Sequence, residues 1–236
     1  MKHTLFKTFA AAAAALLLAG CNSGDDGTDD DASGDTGGDD PVYAEMSGWN
    51  ACEVLDDLQP LADEMGIEGW GGANAEGGTP GNSELGNTLD PDALGCNGLI
   101  SIGENEGMGG GGEVQVKIVP TEDEDQATAA YEDRVTSAET ESAQWTDAQS
   151  EEFTGPWDQG TLVSWIGDAE QPYVEVVARD GQWVSHIVIY HTQDFGLRGG
   201  GEPSLAFTTE ELHQWLVDTY LPQVNQIVND KIAEVQ

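Results

Sequence analysis

The chain is 236 residues long and carries 45 acidic against 7 basic side chains, for a formal net charge of -38. Such a surface excludes nucleic acid as a partner, because phosphate backbones are held by lysine and arginine, and for the same reason it excludes a folded face resting on anionic lipid. An imbalance of this size raises self-repulsion at low salt and keeps a protein soluble. Screening lengths shrink to about 3 Å near 1 M salt, so the composition points to a salt-adapted, halophilic source, with selection of cationic ligands as the alternative.

Residues 1–20 read as a signal peptide. Lys2 and Lys7 supply a positive start, Phe9 to Leu18 an apolar core, and Ala19-Gly20 the small residues beside a cut. The apolar run is well short of the roughly 20 residues that cross a bilayer. Leu18-Ala19-Gly20-Cys21 resembles the lipobox of bacterial lipoproteins. That resemblance implies cleavage before Cys21, diacylglycerol on its sulfur, acylation with palmitate, and a mature chain anchored at the extracytoplasmic face of the cell membrane, where two acyl chains hold stably. The mature chain then keeps all 45 acids and, as bases, only Lys117, Arg134, Arg179, Arg198 and Lys231.

Residues 21–40 comprise the lipidated cysteine and an acidic stretch with no large apolar side chain, which cannot offset ordering entropy by burial and reads as a disordered tether. Asp29, Asp31, Ser33, Gly34 and Asp40 match positions of a calcium-loop pattern. No helices flank it, so diffuse cation association is expected there rather than a specific site.

Residues 41–236 are expected to form a single extracytoplasmic α+β domain. Helical spacing over Asn50 to Met65 predicts a first helix, with Pro60 a candidate kink, and residues 66–93 read as a long surface loop. Trp70 within it is assigned to hold the loop on the core, with ligand contact as the competing role. Strands follow near Cys96 to Ile102 and Glu113 to Val119, joined by a glycine-rich loop that contains Met108. Its glycines do not match a phosphate cradle.

A capping box at Thr121 to Glu124 predicts a helix running to about Ser142. Three strands come next, over Gly160 to Ile166, Tyr173 to Ala178 and Gln182 to His191, with Asp180-Gly181 the turn of a hairpin. Both faces of the last strand carry apolar groups, so both should be covered. Thr208 to Glu211 is a second capping box, opening a final helix that Pro222 divides or bends. The order α-β-β-α-β-β-β-α predicts a central, mostly antiparallel sheet of about five strands with helices packed on it. It does not suit a nucleotide-binding fold, whose strands alternate singly with helices.

With Cys21 lipidated, Cys52 and Cys96 are the remaining cysteines, and in an oxidising compartment such a pair is expected to form a disulfide. A lipobox, an Asp/Gly/Ser tether, Asn50 to Leu55 opening a helix, Cys96 beginning a strand, and a terminal amphipathic helix after a valine-rich hairpin together resemble the small actinobacterial lipoproteins of unknown function. These are similar in layout to the extracellular sensor domain of mycobacterial serine/threonine kinases. The resemblance implies a sensory or binding layout and brings no catalytic residues.

His186 and His191, five apart in one strand, fall on opposite faces and cannot form a side-by-side metal pair. His213 is expected on the exposed shoulder of the last helix. Scattered carboxylates and the lack of a His-Glu-x-x-His pattern argue against a metal and against catalysis, so no enzyme and no cofactor are expected. The expected function is a non-enzymatic ligand-binding or sensory module whose ligand is an unknown small molecule. Trp70, Met108, Phe195 and Arg198 are candidate rim residues, Arg198 competing with a simple surface salt bridge. The alternative is an accessory or structural envelope protein acting through protein contacts.

Overall fold

The computed structural model describes residues 40–105 and 108–235. The expected signal peptide, the expected lipidation at Cys21 and the acidic tether up to residue 39 fall outside the described residues, as does Gly107. No helix among the described residues is long and apolar enough to cross a membrane.

Among the described residues eight strands form one sheet: β1 (Ile67–Trp70), β2 (Gly81–Ser83), β3 (Leu94–Asn105), β4 (Met108–Pro120), β5 (Thr146–Glu152), β6 (Gln159–Ile166), β7 (Pro172–Asp180) and β8 (Trp183–His191). Their spatial order is β1-β3-β4-β8-β7-β6-β5, and β2 sits beyond β1 on the same edge of β3. Every pairing between strands is antiparallel. The α+β class and the antiparallel sheet are as expected, whereas five strands was an undercount.

The additional strands are made by neighbours rather than by their own sequences. β5, Thr-Asp-Ala-Gln-Ser-Glu-Glu, is exposed along its whole length and has no apolar alternation to reveal it. It exists because β6 offers it a ladder of hydrogen bonds. An acidic edge of this kind also repels strand-to-strand association. β1 and β2 likewise borrow the free edge of β3, so residues 66–93 are not one continuous loop.

The glycine-rich connection is corrected too. Met108 to Gly112 continue β4, pairing with β3 as far as Asn105. Bare glycine backbone is what the site demands, since a Cβ on Gly111 would lie 3.2 Å from that of Ala73, and the Gly109 amide donates to Asn74 Oδ1 at 3.1 Å.

The helices are α1 (Pro41–Met46), α2 (Ala51–Val54), α3 (Gln59–Met65), α4 (Glu124–Ser142), α5 (Phe195–Arg198), α6 (Thr209–Trp215) and α7 (Leu221–Ala233). Asp40 belongs to the fold: its carboxylate caps α1 through the amides of Val42 and Tyr43 and accepts from Gln182 Nε2. The single helix expected over Asn50 to Met65 is broken at Asp56, Asp57 and Leu58, all at positive φ, just before Pro60 in the first turn of α3. The proline has no amide to continue a helix through this point and restricts the residue ahead of it. At α4 the cap is Asp123, which accepts from the Gln126 amide, while the Thr121 hydroxyl turns to the carbonyls of Gln182 and Asp123. The Thr208–Glu211 capping box forms as expected. Between α6 and α7 the chain makes a wider π-turn over Leu216–Tyr220. Pro222 strips the helix of one donor and clashes with the carbonyl four residues back, which this turn relieves.

Alternation sorts the sheet into two faces. On one, Cys96, Ile100, Val116, Ile118, Val176, Ile187 and Ile189 meet the N-terminal helices and Leu212, Leu216, Leu221, Val224 and Val228. The Cys52–Cys96 disulfide forms here and ties α2 to β3. On the other, Val119, Val177 and Val184 meet Ala127 and Tyr131 of α4, and Val163 and Trp165 meet Ala138. Both faces of β8 are covered, as its double apolar pattern requires.

Candidate functional site

The α4 face is closed by charge as well as by packing. Asp90 accepts from Lys117 Nζ at 3.1 Å and from Arg134 Nη2 at 3.1 Å, which draws the 84–93 segment down over β4 and α4. Burial opposes ionisation of Asp90, and the charges of Arg134 and Lys117 outweigh it, holding the carboxyl below its usual range. Beside this cluster, His186 Nε2 meets Glu175 Oε2 at 2.9 Å. Burial keeps the imidazole neutral by lowering its pKa, so Nε2–H donates to the carboxylate and Nδ1 is the nitrogen without a partner. The Tyr131 and Thr161 hydroxyls share a buried bond of 2.6 Å, and Arg179 pairs with Asp158 at 3.2 Å. Trp165, Tyr173 and Tyr190 stack in series across three strands, with centroids 5.2 and 5.1 Å apart.

The opposite face is open at one margin. The apolar stripe of α6 and α7 is buried on the sheet, and β6 with its outer neighbour β5 lies across from α6 at the sheet margin. Between them runs a groove of about 680 Å³, within the roughly 300–1,000 Å³ of ligand pockets. Its floor is Leu162, Ser164, Ile166 and Pro172, with Phe153 also lining it, and its roof is His213 and Gln214 on α6 and Val217 in the π-turn that follows. Asp147, Glu151, Glu210 and Asp218 rim it, and none forms an ion pair among the described residues. Burial, with a smaller contribution from His191, pulls the His213 imidazole down to about 4, so the ring is uncharged at neutral pH. His213 makes no hydrogen bond among the described residues.

A second compartment of about 660 Å³ adjoins the first, sharing Asp147, Ile166, Pro172 and Thr209 and adding His191, Gln193, Leu197, Arg198, Leu205 and Phe207. Its wall is organised by Asp194, which caps α5 through the Leu197 amide and accepts from the amides of Ser204 and Leu205 and from the Ser204 hydroxyl. Although partial burial opposes ionisation, these donors keep the carboxyl far below its usual range. The His191 ring sits edge-on to Phe207 with centroids 5.1 Å apart. Burial lowers its pKa as well.

Of the expected rim residues, the groove gathers only Arg198. This side chain is exposed at the end of α5 and has no ion pair among the described residues. Phe195 is half-buried at the start of the same helix. Trp70 packs toward the core from β1, its ring 2.9 Å from where a Cβ on Gly98 would stand. Met108 is exposed at the start of β4, away from the groove lining. His186 and His191 do lie on opposite faces, following the register. His213 is half-buried in the groove rather than on an exposed shoulder. Its sequence signal was available: it precedes Val217 by about one helical turn, so the two share a flank of the helical stretch formed by α6 and the π-turn after it. Cys52 and Cys96 are both consumed by the disulfide. Among the described residues no group of three or more His, Cys, Asp or Glu side chains is placed to hold a metal. No protein-family model, curated protein or solved structure matches this chain.

Proposed function

We propose that this chain is a lipoprotein anchored through diacylglycerol on Cys21 at the extracytoplasmic face of the cell membrane. In this reading it acts as a non-enzymatic ligand-binding or sensory module whose small-molecule ligand occupies the groove beside α6. The lipobox supports the anchor. The observation that carries the binding role is the groove itself, a largely apolar floor beside a ligand-sized volume, rimmed by carboxylates that form no ion pair among the described residues. The accessory-protein alternative calls for a contiguous exposed apolar patch. The exposed large apolar side chains Leu89, Leu99, Met108, Trp145, Leu197, Ile227 and Val235 are spread over β3, β4, α5, α7 and the segments beside them, which favours the binding reading.

The two halves of the proposal are tested separately. In a bacterial host that processes lipoproteins, the full chain is expected to take up labelled palmitate and partition into detergent, and Cys21→Ala to move it into the aqueous phase. Partitioning that ignores Cys21→Ala overturns the anchor. For the groove, saturation-transfer NMR with small organic probes on the detergent-solubilised chain is expected to show binding that Val217→Trp removes. Signals indifferent to that bulky replacement overturn the site.

A further inference from the structure

We infer that the ligand of the α6 groove is a small amphipathic organic cation, its charged end among Asp147, Glu151, Glu210 and Asp218 and its apolar body on Phe153, Leu162, Ile166 and Val217. This deepens the proposed function and rests on its reading of the groove as the ligand site.

Three observations lead there. First, the α6 compartment is lined by carboxylates and by no lysine or arginine. The bases of residues 41–236 are placed elsewhere: Lys117 and Arg134 on Asp90, Arg179 on Asp158, Lys231 over the Trp49 ring at 5.2 Å. An anion entering this compartment would meet only negative charge, and the uncharged His213 does not offset it. Second, the carboxylates do not stand alone as an acidic surface. They stand around an open groove whose floor includes the apolar side chains Leu162, Ile166 and Pro172, with Leu162 8% exposed. A hydrated inorganic ion gains nothing from such a floor, and the carboxylates do not converge as metal ligands do. A hydrocarbon body carrying an ammonium group uses both parts. Third, Arg198 is the one lysine or arginine that lines either compartment among the described residues, and the compartment that holds it also carries Glu170 and Asp194, so carboxylates outnumber bases along the whole groove. An anionic substituent of the ligand has only Arg198 to meet.

The test is calorimetric titration of the full chain in neutral detergent at pH 7.5 with hexylammonium, 1-hexanol and hexanoate, which share an apolar body and differ in charge. Hexylammonium is expected to bind about tenfold more tightly than hexanol, the scale of two or three solvent-screened charge pairs, and hexanoate more weakly than either. The double variant Glu151→Gln/Glu210→Gln is expected to bring hexylammonium down to the affinity of hexanol while leaving hexanol unchanged. Val217→Trp, or Gln214→Trp should the first variant not fold, is expected to remove both. Equal affinities for the cation and the alcohol, or hexylammonium affinity unchanged in the double variant, overturn the cationic class while Val217-sensitive hexanol binding keeps the groove. Hexylammonium binding that persists in the tryptophan variants is the ionic atmosphere of an acidic protein and overturns the inference. Binding of no probe overturns both the inference and the site.

Discussion

The two faces of the sheet spend charge differently. Under α4, Lys117 and Arg134 converge on Asp90, and the nearby His186 ring is paired with Glu175 and sealed from solvent. Along the β5–β6 margin of the other face, the carboxylates, His213 and Arg198 border open volume and have no ion-pair partners among the described residues. With so few bases available, a cation placed on the α4 face is a structural commitment, whereas the proposed ligand groove is a cavity whose bordering carboxylates are left without one.

The contrast can be broken by unfastening each side. The largest effect is expected from Cys52→Ser/Cys96→Ser. Closing a loop across a separation of 44 residues is worth about 4 kcal/mol by loop entropy, read as a loss in the denaturant midpoint. On the α4 face, Asp90→Ala leaves Lys117 and Arg134 half-buried without their carboxylate and is expected to cost about 3 kcal/mol. Its ligand affinity should be unchanged, because Asp90 lies on the face opposite the groove. If Asp90→Ala instead weakens binding, the faces are not independent.

The folding logic of these elements was unevenly visible in the sequence. α4, the β7–β8 hairpin with Gly181 at positive φ, and the Thr208 cap follow from local patterns, and the pairing of Cys52 with Cys96 was expected once Cys21 was set aside as the lipobox cysteine. β5 and the short strands β1 and β2 were not legible, because their conformation is set by the edges they join rather than by their own side chains. The groove was not legible for a related reason. Asp147, Glu151, His213 and Val217 line one groove only because β5 is brought opposite α6, and the position of β5, set by its pairing with β6, is itself tertiary. Arg198 was singled out by its scarcity, a compositional signal that survives without any knowledge of the fold.

Acidification sharpens the comparison further. His186, His191 and His213 all have pKa values lowered by burial, so below the unfolded value of about 6.5 the unfolded chain takes up protons that the folded chain refuses. Stability should therefore decline as pH falls from about 6.5 toward 4, and decline again below about 4 as Asp90, Asp194 and Glu211, whose folded values are lowered, are forced to protonate. Measured in 1 M salt, where self-repulsion is screened, the urea midpoint at pH 5 is expected to lie below that at pH 7.5. His213→Gln should recover part of the loss between pH 6.5 and 4. Groups facing His213 include Glu210 and Asp218 on its own helix segment, Asp147, Glu151 and Glu152 on β5, and His191 on β8; replacing them shifts the window without reversing its sign.

Smaller effects are expected from single hydrogen bonds. Tyr131→Phe removes the buried contact with Thr161 and should cost about 1–2 kcal/mol, and Thr208→Ala, which uncaps the helix roofing the groove, about 1 kcal/mol. The first is expected to leave probe affinity intact and the second to reduce it slightly through fraying of α6.

The most direct test of the account watches both faces at once. In the isotope-labelled full chain titrated with hexylammonium, the imidazole NMR signals of His213, in the groove, and of His186, sealed under α4, report independently. The account predicts that the His213 signals shift saturably while those of His186 stay fixed. His213 signals that do not move, or that move in step with those of His186, would contradict it.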